Sequence, residues 1–114
     1  YGGPPAARRI EHRVSGADAN PYLVLAAILG AALIGMERHL SPGEPSATDV
    51  YDRPLPKLPP DWASALHAFE AGDMVTEIFP SLLRQSFVAC KRQELETFAV
   101  QVSDFELETY LEGV

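Results

Sequence analysis

Residues 7–40 read ARRIEHRVSGADANPYLVLAAILGAALIGMERHL: three guanidinium groups gather around one carboxylate, and a run from Pro21 to Met36 then carries no charge. The uncharged run decides the fold. It falls short of the roughly twenty residues needed to cross a hydrocarbon core, and Gly30 and Gly35 interrupt it, so it reads as a buried helix within residues 19–40. Asn20 is placed to cap its start, and Pro21 suits the first helical position, where no amide donor is needed. Glu37, Arg38 and His39 put polarity at the far end. A helix that is apolar on nearly every face must be covered all round, and Gly30, Ala31, Ala32 and Gly35 leave room for a neighbour to approach closely.

Upstream of the helix, residues 1–18 read as a short strand or extended arm. Side chains alternate along an extended segment, so Arg9, Glu11 and Arg13 share one face while Arg8, Ile10 and His12 share the other. One face therefore reads cation, anion, cation. Guanidinium forks match phosphate and carboxylate oxygens, and a carboxylate between them suits a hard divalent cation. A self-satisfied surface ion pair has the same pattern, and spacing alone leaves both readings open. A strand here would also need a partner for its amide and carbonyl groups.

Downstream, residues 41–60 hold Pro42, Pro45, Pro54, Pro56, Pro59 and Pro60, too many for a helix interior, and read as a long loop. Residues 61–114 read as helical. Trp62, Ala65, Leu66 and Phe69 follow the i, i+3, i+4, i+7 pattern, with Gly72 as a stop. Asp73 is placed to cap a short piece from Met74 to Phe79. After Pro80, Ser81 precedes a longer helix whose apolar side is expected to hold Leu83, Phe87, Cys90, Leu95 and Phe98. Ser103 and Glu106 have capping-box spacing ahead of a last helix with Phe105, Leu107, Tyr110 and Leu111. The fold class expected is mainly α: a short N-terminal strand or arm followed by four to five helices.

The run from Ala7 to Leu40 resembles the C-terminal part of the glutamine synthetase catalytic domain, in which an Arg-Ile-Glu-x-Arg strand precedes an Ala-Asn-Pro-Tyr-Leu helix start. Weaker similarity continues through Asp49 to Asp52, Leu55 to Pro59 and the last helices. The ending, from Ala89 to Leu95, through Val102 to Glu106 and on to Tyr110 and Leu111, looks more like the branch that joins glutamate to amines or polyamines. The resemblance implies a fragment of an α+β catalytic domain from an ATP-dependent ligase of nitrogen metabolism that joins glutamate to ammonia or an amine through γ-glutamyl phosphate. It implies that Glu11 is a ligand of the Mg²⁺ or Mn²⁺ accompanying ATP. It also implies that Arg9 lies toward nucleotide phosphate and that Arg13 holds the substrate carboxylate and the transferring phosphoryl group. Tyr51 lies where some glutamine synthetases are nucleotidylated, which makes it a regulatory candidate. Family members form two-ring homo-oligomers whose C-terminal tails touch a neighbouring subunit.

At 114 residues the chain is long enough for one modest core but not for a whole ligase, so it is expected to be a C-terminal piece, inactive by itself and holding no tightly bound cofactor. Its partners would be the remaining catalytic domain and further copies of itself. The composition, 46% hydrophobic and 22% charged with a net charge of −7, is that of a globular segment. From residue 94 onward there are six carboxylates and no Lys or Arg, which argues against nucleic acid as a partner. No membrane span is expected, and a single cysteine, Cys90, points to the cytoplasm. His12 reads as structural or as supporting the neighbouring motif. With Cys90, His39 and His67, it lacks the spacing of a zinc site. The alternative to a ligase fragment is a self-standing helical interaction or structural module.

Overall fold

The computed structural model describes residues 4–43 and 54–113. The chain divides into two compact units, Tyr1–Leu40 and Ser41–Val114. The first begins with a 3₁₀ turn at Pro5–Ala7 and carries one long helix, α1, at Pro21–Glu37. The second holds α2 (Trp62–Ala71), α3 (Asp73–Ile78), α4 (Ser81–Ala99) and α5 (Asp104–Tyr110). The chain is thus mainly helical, with no strand among the described residues. Of the two forms expected for the N-terminal segment, Arg8 to Arg13 takes the arm, no strand among the described residues being there to accept its backbone groups.

Both ends of α1 are fixed by short-range hydrogen bonds. Asn20 Oδ1 accepts from the amides of Tyr22 (3.0 Å) and Leu23 (3.3 Å), with Pro21 in the first turn. At the other end His39 N donates to Met36 O and Leu40 N to Gly35 O, the paired bonds of a Schellman motif. That motif needs a left-handed residue, and His39 occupies it at φ 52° without glycine's freedom.

Between these ends α1 lacks the cover that its composition calls for. Only Ile34 is buried, and Tyr22, Leu25, Leu29, Leu33 and Met36 are all more than half exposed. A Cβ added at Gly35 would meet nothing within 4 Å. The burial expected on every side of α1 is therefore not seen among the described residues.

In the second unit, α2 packs on α4 and α3. Leu66, Phe79 and Val88 are buried. Phe69 meets Phe79 at 6.0 Å and Phe87 at 5.1 Å between ring centroids, tilted as aromatic pairs prefer. Trp62 lies 6.5 Å from Phe98, and Arg92 bonds Glu70 at 2.9 Å across α4 and α2. Gly72 ends α2 with an ordinary φ of −73°; its value is space, since a Cβ there would lie 3.1 Å from Ala68 O and from Val75 Cγ2.

Three sequence expectations change here. Asp73 is the first residue of α3 and makes no side-chain cap bond, Gly72 holding the cap position. Cys90 is exposed: the inward face of α4 runs through Arg84, Phe87, Val88, Lys91 and Leu95, and Cys90 lies about 115° round the helix from its centre. Leu83 and Phe98, expected on the same apolar side of α4, are likewise exposed; Phe105, Tyr110 and Leu111 are exposed too. The capping box of α5 is present as expected, with Ser103 N donating to Glu106 Oε2 (2.8 Å) and Glu106 N to Ser103 Oγ (3.3 Å).

Replacing His39 by Gly removes a left-handed strain and should stabilise α1 by about 1 kcal/mol, read as a higher melting midpoint of the helical dichroism; an unchanged or lower midpoint would show that His39 carries no such strain. The acid response is also set. The Ser64 amide, with the Ser64 hydroxyl, holds the Asp61 carboxyl below its ordinary 3.8, and the Ser103 amide and hydroxyl hold Glu106 below 4.5. Both caps therefore stabilise the folded form above those ordinary values and lose that contribution as pH falls through the depressed ones. Helical signal from α2 and α5 should fade only below about pH 4, and Asp61→Asn should flatten the α2 part of that response.

Candidate functional site

The arm between the 3₁₀ turn and α1 brings together two of its three sequence-selected residues. Arg13 donates Nε to Glu11 Oε1 at 2.6 Å, and its Nη2 lies 2.5 Å from the same oxygen. Contact between residues two apart is what an extended backbone with alternating faces produces. Both side chains face solvent, Arg13 84% and Glu11 54% exposed. An ion pair so exposed contributes about 0–1 kcal/mol, so a ligand that offers either group a better partner can open it.

Arg9 is not drawn into the pair. It is exposed and makes no hydrogen bond or ion pair with the described residues, so its guanidinium fork stays available to an anion. His12 Nε2 lies 3.1 Å from Ser15 Oγ, where the backbone bends ahead of α1. This contact fits the structural role read for it. Tyr51 lies outside the described residues.

A divalent cation fits this arm only in part. Glu11 is a hard oxygen donor of the right kind, but among the described residues no three His, Cys, Asp or Glu side chains gather to hold a metal ion. The further ligands would have to come from outside these residues. The arrangement can offer one carboxylate oxygen and two guanidinium forks to a ligand. It cannot enclose one.

A second feature has no counterpart in the sequence reading. Phe69, Glu70, Arg84, Gln85, Val88, Ala89 and Arg92 line a half-open groove of about 270 Å³ between α2 and α4. Arg84 Nε donates to Phe79 O at 3.2 Å and Arg92 is tied to Glu70, so both arginines brace the helix junction. The i, i+4, i+8 spacing of Arg84, Val88 and Arg92 was the signal that could have marked this face. Among the described residues no helix is long and apolar enough to cross a membrane.

Comparison with known proteins gives these residues a context. The family model of the glutamine synthetase catalytic domain matches residues 1–110. The chain is 38% identical to a glutamine synthetase of Aquifex aeolicus, over 94% of this chain and 25% of that protein. It is 34% identical to a glutamate–isopropylamine ligase of a Pseudomonas species, over 94% of this chain and 24% of the relative. Against a glutamine synthetase of Sulfolobus acidocaldarius it is 31% identical over 99% of its length and 26% of the relative's. The chain thus spans about a quarter of the length of these relatives. A chance motif on an unrelated helical module does not account for a match over nearly every residue: the chain belongs to the glutamine synthetase family.

Proposed function

We propose that the chain is the C-terminal part of the catalytic domain of an ATP-dependent ligase that joins glutamate to ammonia or to an amine. The observation that carries this reading is the arm itself: within a chain matched to the family over residues 1–110, Arg9, Glu11 and Arg13 offer two anion-binding forks and one metal-binding oxygen. In the proposed reaction an oxygen of the glutamate side-chain carboxylate attacks the terminal phosphorus of ATP, and ADP leaves. The amine nitrogen then attacks the acyl carbon of the γ-glutamyl phosphate, loses a proton, and inorganic phosphate departs.

Phosphoryl transfer is accelerated chiefly by positioned positive charge, because the chemistry moves negative charge between oxygens. Arg9 takes the role of holding nucleotide phosphate, and Arg13 that of gripping the substrate carboxylate and then the phosphoryl oxygens. Glu11 would supply one oxygen ligand to Mg²⁺ or Mn²⁺ in the assembled enzyme, and the metal would lend charge neutralisation there. For both roles the Glu11–Arg13 pair must part, and its exposure makes that cheap. The glutamate–isopropylamine ligase among the relatives supports an amine acceptor beside ammonia, and a polyamine is a further acceptor within this reading. The cytoplasm is the compartment in this reading. The enzyme is a homo-oligomer, with exposed Phe105, Tyr110 and Leu111 as subunit contacts and Tyr51 as a regulatory position.

Two outcomes test it. In the ligase that contains this chain, Glu11→Gln should lower amide formation at least a hundredfold, with partial recovery as Mg²⁺ is raised; Arg13→Lys should fail comparably, because a point-charge ammonium does not reproduce the planar fork. Unchanged turnover in either variant would remove that residue from the site. The 114-residue chain alone should release no phosphate from ATP in the presence of glutamate and amine. Turnover that copurifies with it and vanishes in Glu11→Gln would show that the site is complete within these residues.

A further inference from the structure

His12 stands between Glu11 and Arg13 in the chain, on the opposite face of the arm by the alternation that joins those two. The bend at Val14 and Ser15 turns the serine hydroxyl, which straight alternation would put on the Glu11 face, toward His12, and His12 Nε2 lies 3.1 Å from Ser15 Oγ. This contact belongs to a run of short closures that leads into α1. Arg13 Nε donates to Glu11 Oε1, His12 meets Ser15, Ala19 N donates to Gly16 O at 3.2 Å, and Asn20 Oδ1 accepts from the amides of Tyr22 and Leu23. Every residue from 11 to 23 therefore lies within a loop closed over two or three residues, the kind of local bonding by which Ser, Asn and their like shape irregular backbone. Gly16 suits its place in the run, since a Cβ there would stand 2.6 Å from Asp18 Oδ1.

We infer that His12 and Ser15 are positioning residues, their hydrogen bond holding the arm around Arg13 so that Arg13 and Glu11 still face one ligand after their own pair has opened. The inference rests on the ligase reading, in which that pair must part. When it parts, the closure over residues 11–13 is lost. Among the described residues the His12–Ser15 bond is then the one side-chain closure left between Glu11 and Gly16. Because it lies on the other face of the arm, it leaves the Glu11 and Arg13 face open to the ligand. An exposed bond of this span contributes little to folding stability. Its effect is to restrict the backbone of residues 12–15, which is otherwise free to sample other conformations, and misplacing a gripping group by about 1 Å can cost a hundredfold in rate. Arg9 precedes the closure by three residues, so its hold on nucleotide phosphate does not pass through the bond.

Steady-state kinetics of the ligase that contains this chain test it. Ser15→Ala and His12→Leu should each lower kcat about tenfold and raise KM for glutamate, while KM for ATP stays within about twofold and the melting midpoint does not move. Combined, the two substitutions should cost no more than either alone, because both remove the same bond. Ser15→Thr keeps the hydroxyl and His12→Gln keeps a polar group at similar reach, so both should recover most of the loss. Unchanged kinetics in Ser15→Ala, additive losses in the double variant, equal losses in the conservative variants, or a loss that follows a lowered melting midpoint would each overturn the inference. Glu11→Gln in the same assay separates it from the reading on which it rests. If Glu11→Gln loses turnover while Ser15→Ala does not, the positioning role falls and the ligase reading stands; if Glu11→Gln is silent as well, both fall.

Discussion

A helix whose body carries no charge calls for cover on its apolar sides, and among the described residues the large side chains of α1 stand exposed. Its seventeen residues are fixed locally, by the Asn20 cap at one end and the His39 turn at the other, and both devices set where the helix stops without hiding its sides. Each large apolar side chain left in water forgoes about 1.5–3 kcal/mol of burial, and five such residues lie in one stripe. The arm runs directly into α1, so the Asn20 cap fixes where the arm ends and the helix begins.

The arm is suited to being completed from elsewhere. A buried ion pair would be costly to open, whereas the exposed pair of Glu11 and Arg13 is held by little more than proximity. Arg9 has no competing partner among the described residues. Three charged groups on one short segment thus form an exposed edge and not an enclosed pocket, in a chain that spans about a quarter of its relatives' length. The second unit contributes a different kind of order. Its Phe69, Phe79 and Phe87 cluster and the Glu70–Arg92 link hold α2 and α4 together.

Features written in local hydrogen bonding were legible in the sequence. Asn20 before Pro21, Gly72 after Ala71, and Ser103 three residues before Glu106 each satisfy orphan backbone groups at a helix end, and each does so in the structure. The pairing of Glu11 with Arg13 was legible for the same reason, since residues two apart on an arm share a face. Features set by tertiary packing were not. The spacing of Leu83, Phe87, Leu95 and Phe98 puts Cys90 on the apolar side of α4, yet the inward face is fixed by where α2 lies, and it passes through Arg84 and Lys91. The His39 cap was missed because its residue type carries no left-handed preference comparable to glycine's. Arg9 shows the remaining gap: its chemistry is plain, but only a bound phosphate would fix its position.

Hydrogen exchange of the backbone amides tests the central claim that α1 is held by its end caps and not by burial along its sides. The account predicts that amides from Val24 to Glu37 exchange much faster than those around Val88 in α4. Protection of α1 equal to that of α4 would contradict it.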